Sequence, residues 1–290
     1  MAAPVLLVRR PSPELAKGLL THISDDRASL STGLASQQWL EYTNVFRAHG
    51  WDVREVQAAD ECPDGVFIED ALLWLTDLSE KADQGPAIIL MNTPAPSRAK
   101  ELSTAQACAE TIATAHGAKL YSLKEIGGSE AHLEGGDVLK VGRVVYVNSG
   151  GHRTNEAGIC ALRSIAERIG YSVVGIPIQG ALHLKSAVTA LPDGTVIGHM
   201  PGLQAFFKPY LQVPEPEGVA VVHLRPYEAL ASAHDEKAEA HLVMSSSAPR
   251  TTALLESLGW KVTTTDVTEF EKLEGCVTCL SVRCRPGSRS

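Results

Sequence analysis

The chain has 290 residues, 34 acidic against 26 basic, with a formal net charge of -8 at pH 7. That length can bury a substantial core in one or two domains, while the acidic balance excludes a phosphate-neutralising nucleic-acid surface and suits a small cationic ligand. Six cysteines are too sparse for a disulfide scaffold, the apolar run within Met1–Arg10 is too short for a signal-peptide core, and no window approaches a membrane span.

Along the chain, four segments share one order: an amphipathic helix, a glycine, then a short strand rich in β-branched residues. They are Phe46-Arg-Ala-His-Gly50-Trp-Asp-Val53, Ala115-His-Gly117-Ala-Lys-Leu-Tyr121, Ala166-Glu-Arg-Ile-Gly170-Tyr-Ser-Val-Val174 and Leu255-Glu-Ser-Leu-Gly259-Trp-Lys-Val262. A glycine at each junction suits a helix C-cap. A weaker copy without the glycine stands at Phe207-Lys-Pro-Tyr210-Leu-Gln-Val213, and the junctions are then 67, 53, 40 and 49 residues apart, a repeat period. Between these copies, Thr76–Gly85 reads as a solvated loop, Glu156–Ile169 as a helix, Pro192-Asp-Gly194 and Pro214–Gly218 as turns, and 285–290 as a frayed tail.

Four polar clusters fall 13 to 20 residues after a junction, in runs that otherwise read as buried strands. Asp64-Gly-Val-Phe-Ile-Glu69-Asp70 offers paired carboxylates, either solvated strand-end charges or a grip on a planar cation. Glu134 opens Glu134-Gly-Gly-Asp137, whose glycines suit close backbone approach. His183, between Leu182 and Leu184, is a hydrogen-bonded core residue or an acid/base group oriented by Glu134. Cys279, in Gly275-Cys-Val-Thr-Cys279-Leu-Ser281, is a buried structural thiol or a nucleophile. Its three-residue spacing from Cys276 also matches redox and zinc pairs, but no βαβ context or second ligand pair accompanies it. Arg98, in a proline-punctuated loop, and Arg153, ahead of a helix, are solvated or are carboxylate clamps. His234–His241 has the composition of an exposed helix and is assigned no chemistry. Charges near one axis in a ring of repeats would build a single central site.

Asp64–Asp70, Ala95-Pro-Ser-Arg98, Leu133–Asp137, Arg153-Thr-Asn155, Leu182–Ser186 and Val277–Ser281, in this order over nearly the whole chain, resemble the dimethylarginine dimethylaminohydrolase family of the pentein, or guanidino-group-modifying, superfamily. The resemblance implies an α/β fold, a five-bladed propeller of pseudo-symmetric ββαβ repeats around a central active site, with residues 1–290 forming one catalytic domain. It implies hydrolysis of Nω-methylated arginine, as dimethylarginine or monomethylarginine, to citrulline plus dimethylamine or methylamine. Cys279 would be the nucleophile, His183 the general acid/base and Glu134 its support. Glu69 and Asp70 would bind the guanidinium, Asp64 the amino-acid end, and Arg98 and Arg153 the α-carboxylate. Glu274 stands where the family pattern has Asp, and a lid is expected near Leu19–Ile23. No cofactor or metal is expected, nor a nucleic-acid or membrane partner; the chain is expected to be a cytoplasmic monomer or homodimer. The alternatives are an arginine deiminase-like or other amidino hydrolase or transferase, and a non-catalytic amino-acid-binding or zinc-responsive protein on the same scaffold.

Overall fold

The first and last strands of the chain pair with each other, and this closure defines the architecture. Val5–Val8 runs antiparallel to Val282–Cys284, with Val5 opposite Cys284, and parallel to Asp52–Glu55. The computed structural model describes residues 3–23, 26–81, 83–224 and 240–285. Within them lie five three-stranded sheets of the same design.

In each sheet the central strand has one antiparallel and one parallel neighbour. The second sheet joins Leu72–Leu75, Ala87–Leu90 and Lys119–Ser122; the third joins Val138–Val141, Val144–Asn148 and Ser172–Ile176. The fourth joins Val188–Ala190, Val196–Gly198 and Tyr210–Gln212; the fifth joins Val221–His223, His241–Ser245 and Lys261–Thr265. An antiparallel pair needs only a short connection, whereas the parallel pair needs a crossover. The crossovers are the helices Thr32–Ala48, Glu101–His116, Glu156–Ala166 and Pro249–Ser257. The fourth sheet manages with a 3-10 turn at Leu203–Ala205, so the weakest sequence repeat is also the unit without a crossover α-helix. The chain therefore folds as a five-bladed α/β propeller.

The junction glycines serve as the spacing predicts: φ is +80° at Gly50, +63° at Gly117, +88° at Gly170 and +92° at Gly259. Helix Glu156–Ala166 shows the local logic. The Asn155 side chain caps it by accepting from Gly158 N at 3.0 Å, and Ile159, Leu162, Ile165 and Ala166 form its buried face. Strands Val5–Val8, Leu72–Leu75 and Ala87–Leu90 are buried at every position, and each such Leu, Ile or Val side chain contributes about 1.5–3 kcal/mol. Arg9 is also fully buried, held by the carbonyls of Gln57, Gly65 and Glu101 and by the Glu101 carboxylate at 3.7 Å. No helix among the described residues is long and apolar enough to cross a membrane.

The antiparallel outer member of each sheet is its inner strand, as seen where Leu72–Leu75 lies beside Val282–Cys284 and Val138–Val141 beside Val188–Ala190. A short turn precedes each inner strand: Ile68–Asp70, Gly135–Asp137, Leu184–Ala187, Pro216–Val219 and the bend through Thr278–Ser281. Four of these five turns carry or adjoin a polar cluster from the sequence. At the fifth, Glu215 accepts from the N–H groups of Arg250 and Thr251 at 3.0 and 2.7 Å, a structural use. Residues 234–239 lie outside the described residues, as do 286–290 of the tail; His241 lies in a strand.

Candidate active site

The turns converge on a narrow pocket lined by Asp64, Asp70, Arg98, Arg153, His183 and Cys279, together with Leu19 and Glu274. Its free volume is about 20 Å³, little more than a water molecule needs. Glu134 lies just behind this surface, fully buried against the imidazole.

His183 and Glu134 form the best-defined contact. The imidazole Nε2 donates to Glu134 Oε2 at 2.7 Å, and Nδ1 faces Asp70 Oδ1 at 3.8 Å. Burial disfavours the imidazolium, but the charges of Asp70, Glu134 and Asp137 and the bond to Glu134 outweigh it and raise His183 to about 9. Burial likewise opposes the Glu134 carboxylate, and the bond and charge of His183 with Arg98 and Arg153 bring it down to about 2. Thr93 Oγ1 also donates to Glu134 Oε1, as does Arg153 Nη1 at 3.3 Å. At neutral pH the pair is an ion pair holding a proton ready to leave. Asp70, Glu134 and His183 offer ligand atoms within 4.8 Å of one another, which would suit a metal only after that proton is lost.

Gly135 and Gly136 permit this packing. A Cβ on Gly135 would meet the Glu69 carbonyl oxygen at 2.0 Å, and one on Gly136 would meet the His183 ring at 2.6 Å and Asp70 Oδ1 at 2.7 Å. Gly136 N donates to the same Asp70 oxygen at 2.9 Å. Asp137, quoted in the sequence motif without a role, accepts from Leu184 N at 3.0 Å and Thr154 Oγ1 at 2.6 Å, fixing the turn that bears His183.

Cys279 is 7% exposed, and its Sγ lies 3.3 Å from that of Cys276. The hydrogen bond between the sulfurs splits the pair. It lowers Cys276 to about 7 against the cost of burial, whereas Cys279 is held up by that bond, by burial and by the negative charges of Cys276, Glu69 and Asp70. Without a cation in the pocket, Cys279 is a thiol.

The remaining sequence-predicted residues separate into free and committed groups. Asp70 and Asp64 face the pocket; burial raises Asp64, whose carboxylate accepts from Leu19 N at 3.1 and 3.3 Å. Arg153 lines the pocket, 14% exposed at its side chain, and donates from Nη1 to Glu134 Oε1 at 3.3 Å. Arg98 also lines it, but its donors are spent: Nη1 on Asp70 at 2.6 Å, Nε and Nη2 on Glu101 at 3.0 Å, and Nη2 on the carbonyls of Asp64 and Phe67. Glu69 is outside the lining, with Oε1 shared by Lys185 at 2.6 Å and Arg283 at 2.7 Å. Its Oε2 is buried with no hydrogen-bond partner among the described residues. Glu101 was missed by sequence reasoning, although its place three residues after Arg98 on the following helix is a signal for an ion pair. Glu274, with φ +59°, accepts from Thr21 N and His22 N at 2.6 and 2.9 Å and so ties the 19–22 segment beside the pocket.

No family model matches the chain. It is 44% identical over 287 residues to N(G),N(G)-dimethylarginine dimethylaminohydrolase of Streptomyces coelicolor, covering 98% of both chains. The chain belongs to the dimethylarginine dimethylaminohydrolase family. The enzyme of the same name from Pseudomonas aeruginosa is 24% identical over 278 residues, covering 96% of this chain and 98% of that protein. Among solved structures, a cysteine-to-serine variant of the Pseudomonas aeruginosa dimethylarginine dimethylaminohydrolase complexed with citrulline aligns with a TM-score of 0.77 at 21% identity, covering 98% of this chain and all of that one. The N-terminal domain of ArgZ, an arginine dihydrolase of cyanobacteria, aligns at 0.70 and 20% identity over 97% of each chain. These structural likenesses carry the fold; the family membership rests on the sequence relative.

Proposed function

We propose that this dimethylarginine dimethylaminohydrolase family member hydrolyses Nω-methylated arginine to citrulline and a methylamine through a covalent adduct on Cys279. The observation that carries the reading is the meeting of Cys279, the protonated His183–Glu134 pair and Asp70 at one buried pocket. Asp70 accepts guanidinium donors, as does Glu69 through its unmet Oε2, with Arg98 acting to hold Asp70 rather than to grip the substrate. Arg153 receives the α-carboxylate and Asp64 the α-ammonium end. The pocket is too small for such a ligand as it stands, so the 19–22 segment tied to Asp64 and Glu274 must give way on entry.

The guanidinium supplies the positive charge that Cys279 lacks in the free site, and the thiol ionises beside it, its proton passing to solvent. Its sulfur adds to the guanidinium carbon; His183 gives its proton to the departing dimethylamine, and the C–N bond breaks to leave an S-alkyl thiouronium cation. Neutral His183 then takes a proton from water as its oxygen adds to the same carbon. The C–S bond breaks, returning the electron pair to sulfur, the hydroxyl proton passes to that sulfur, and citrulline is released with Cys279 restored as a thiol. Residues 1–290 act as one catalytic domain, as a monomer or homodimer. Free thiols at all six cysteines, with two of them in contact, favour a reducing cytoplasm.

The test is citrulline formation from asymmetric dimethylarginine, with amine products separated to distinguish dimethylamine, methylamine and ammonia. Cys279→Ser should abolish turnover and Cys276→Ser retain a substantial part of it, while mass spectrometry of the wild type quenched during turnover finds a substrate-derived adduct on Cys279. Ammonia from free arginine as the main product would instead favour a deiminase, a reading supported by 26% identity over 229 residues to arginine deiminase of Rhodococcus opacus. Equal loss in the two folded cysteine variants would reject a single nucleophile.

A further inference from the structure

The proposed cycle uses one of two sulfurs that touch. Cys276 has no part in it, yet its Sγ lies 3.3 Å from that of Cys279, and both cysteines are free thiols. The backbone sets this approach. Cys279 N donates to the Cys276 carbonyl at 3.1 Å, so residues 276–279 close one turn and the two side chains leave it together. Tyr42 Oη donates to the Val277 carbonyl at 2.9 Å and Arg283 Nη1 to the Thr278 carbonyl at 2.8 Å, which fixes the two residues between the cysteines. The fold therefore holds the sulfurs side by side.

The two sulfurs differ in what reaches them. Cys279 is buried and opens onto the substrate pocket, whereas Cys276 is partly exposed and stands outside the pocket lining. Cys276 Sγ also meets Thr278 Oγ1 at 3.3 Å, so a charge on it has a hydroxyl and the neighbouring thiol as donors. Cys279 instead faces the negative charges of Glu69 and Asp70. Ionisation accordingly falls on Cys276, at about 7. The thiolate that a small electrophile meets first is not the sulfur that the mechanism uses.

We propose that Cys276 is an oxidation site, at which hydrogen peroxide converts the pair into an intrachain Cys276–Cys279 disulfide that withdraws the nucleophile and returns it on reduction. The loss of activity rests on the reading of Cys279 as nucleophile; formation of the bond does not. A disulfide needs sulfurs about 2.05 Å apart, so these must close by roughly 1.3 Å, which side-chain rotation supplies.

The Cys276 thiolate attacks one oxygen of the peroxide. The O–O bond breaks, hydroxide leaves and takes up a proton as water, and Cys276 becomes a sulfenic acid. The Cys279 sulfur then attacks the Cys276 sulfur while giving up its proton. The S–O bond breaks, and the departing hydroxide takes that proton as a second water. Two thiols are oxidised and one peroxide is reduced to two waters. A small dithiol reverses the step through a mixed disulfide and is itself oxidised. Cys279 is thereby stored in a reducible bond, where direct oxidation would carry it on toward an irreversible sulfinic acid.

The experiment exposes the full chain to a small excess of hydrogen peroxide at neutral pH, stops it with catalase, and follows citrulline formation and thiol state side by side. Trypsin cuts after Lys272 and Arg283, so both sulfurs leave in one peptide that holds no other cysteine. That peptide should become two hydrogens lighter and resist alkylation in step with the loss of turnover, and dithiothreitol should restore both. Cys276→Ser should lose turnover to peroxide about tenfold more slowly than wild type, because the sulfur that ionises first is gone. A 273–283 peptide that stays fully alkylatable after peroxide overturns the proposal. So does added oxygen on Cys279 in place of the disulfide, or inactivation of Cys276→Ser at the wild-type rate. Should Cys276→Ser fail to fold, the wild-type peptide decides alone. It also decides if the chain turns over no methylarginine: a disulfide there supports the oxidation site while the Cys279 mechanism fails.

Discussion

Replacing Glu134 with Gln keeps the shape of the group beside His183 and removes its charge, so the proton on the imidazole becomes the measured quantity. In the native site His183 rises from 6.5 to about 9. At 1.36 kcal/mol per pH unit, that favours imidazolium over imidazole by about 3 kcal/mol. Glu134 supplies the one direct hydrogen bond, at 2.7 Å, while Asp70 stands at 3.8 Å and remains in the variant. Glu134→Gln should therefore lower the His183 pKa by roughly one to two pH units. At pH 8 the protonated fraction then falls from about nine-tenths to between about a half and a tenth.

The assay is the pH profile of kcat/KM for citrulline formation, which reports groups of the free enzyme. The alkaline limb set by His183 should move down in the variant by the same interval, whereas a limb from the α-amine of the substrate is common to both enzymes. Stability provides an independent reading with a definite sign. The raised pKa of His183 stabilises the fold fully below 6.5, and that stabilisation is lost as pH rises through about 9. The depressed pKa of Glu134 contributes above 4.5 and is lost as pH falls through about 2. The difference in Tm between wild type and Glu134→Gln should thus be greatest between 4.5 and 6.5 and shrink toward pH 9. Coincident alkaline limbs in two folded enzymes would refute the assignment of His183 as an acid charged by Glu134.

Asp70→Asn should cut kcat/KM by at least about a hundredfold with the fold retained, because an amide turns a donor toward a donor-only guanidinium; near-native kinetics would remove Asp70 from that role. Arg153→Lys should raise KM for methylarginine yet have little effect on a ligand lacking the α-carboxylate, and equal penalties for both would exclude the clamp. Gly136→Ala places a methyl 2.6 Å from the His183 ring, about 0.8 Å short of ordinary contact. Displacement of that order should cost about a hundredfold in kcat, measured on protein whose circular dichroism matches wild type.

Much of this arrangement was legible because the repeat and the chemistry share one grammar. Gly50, Gly117, Gly170 and Gly259 mark helix ends that need positive φ, and that requirement survives whatever packs around them. The polar clusters lie at uneven distances from those glycines because loop lengths differ, while the turn always immediately precedes an inner strand. What stayed hidden was direction. Glu69 and Asp70 read as paired carboxylates at a strand end, with both expected on the guanidinium, but they occupy a 3-10 turn, where successive side chains are about 120° apart. Asp70 therefore faces the pocket, while Glu69 lies behind its lining with Oε1 paired to Lys185 and Arg283. Arg98 looked available because its loop is rich in proline; its commitment depends on Glu101 and on carbonyls of residues 64 and 67, partners that only the folded ring supplies.

The placement of Glu69 and Asp70 also bears on why Cys279, the proposed nucleophile, is held as a thiol at rest. Both carboxylates, with Cys276, oppose ionisation of Cys279, so the empty site disfavours a free thiolate that would react with any electrophile reaching it. A guanidinium seated between Asp70 and Cys279 reverses the balance: it neutralises the nearer carboxylate and adds a positive charge beside the sulfur. Meanwhile Lys185 and Arg283 hold Glu69 Oε1 from behind and leave Oε2 for the incoming donor. On the proposed mechanism, activation of sulfur is tied to the charge of the substrate, and a neutral isostere such as citrulline leaves Cys279 protonated. Titrating the thiolate absorbance of the Cys276→Ser variant should show Cys279 ionising at lower pH with a non-hydrolysable amidinium ligand than with citrulline, and identical titrations would disprove substrate-driven activation.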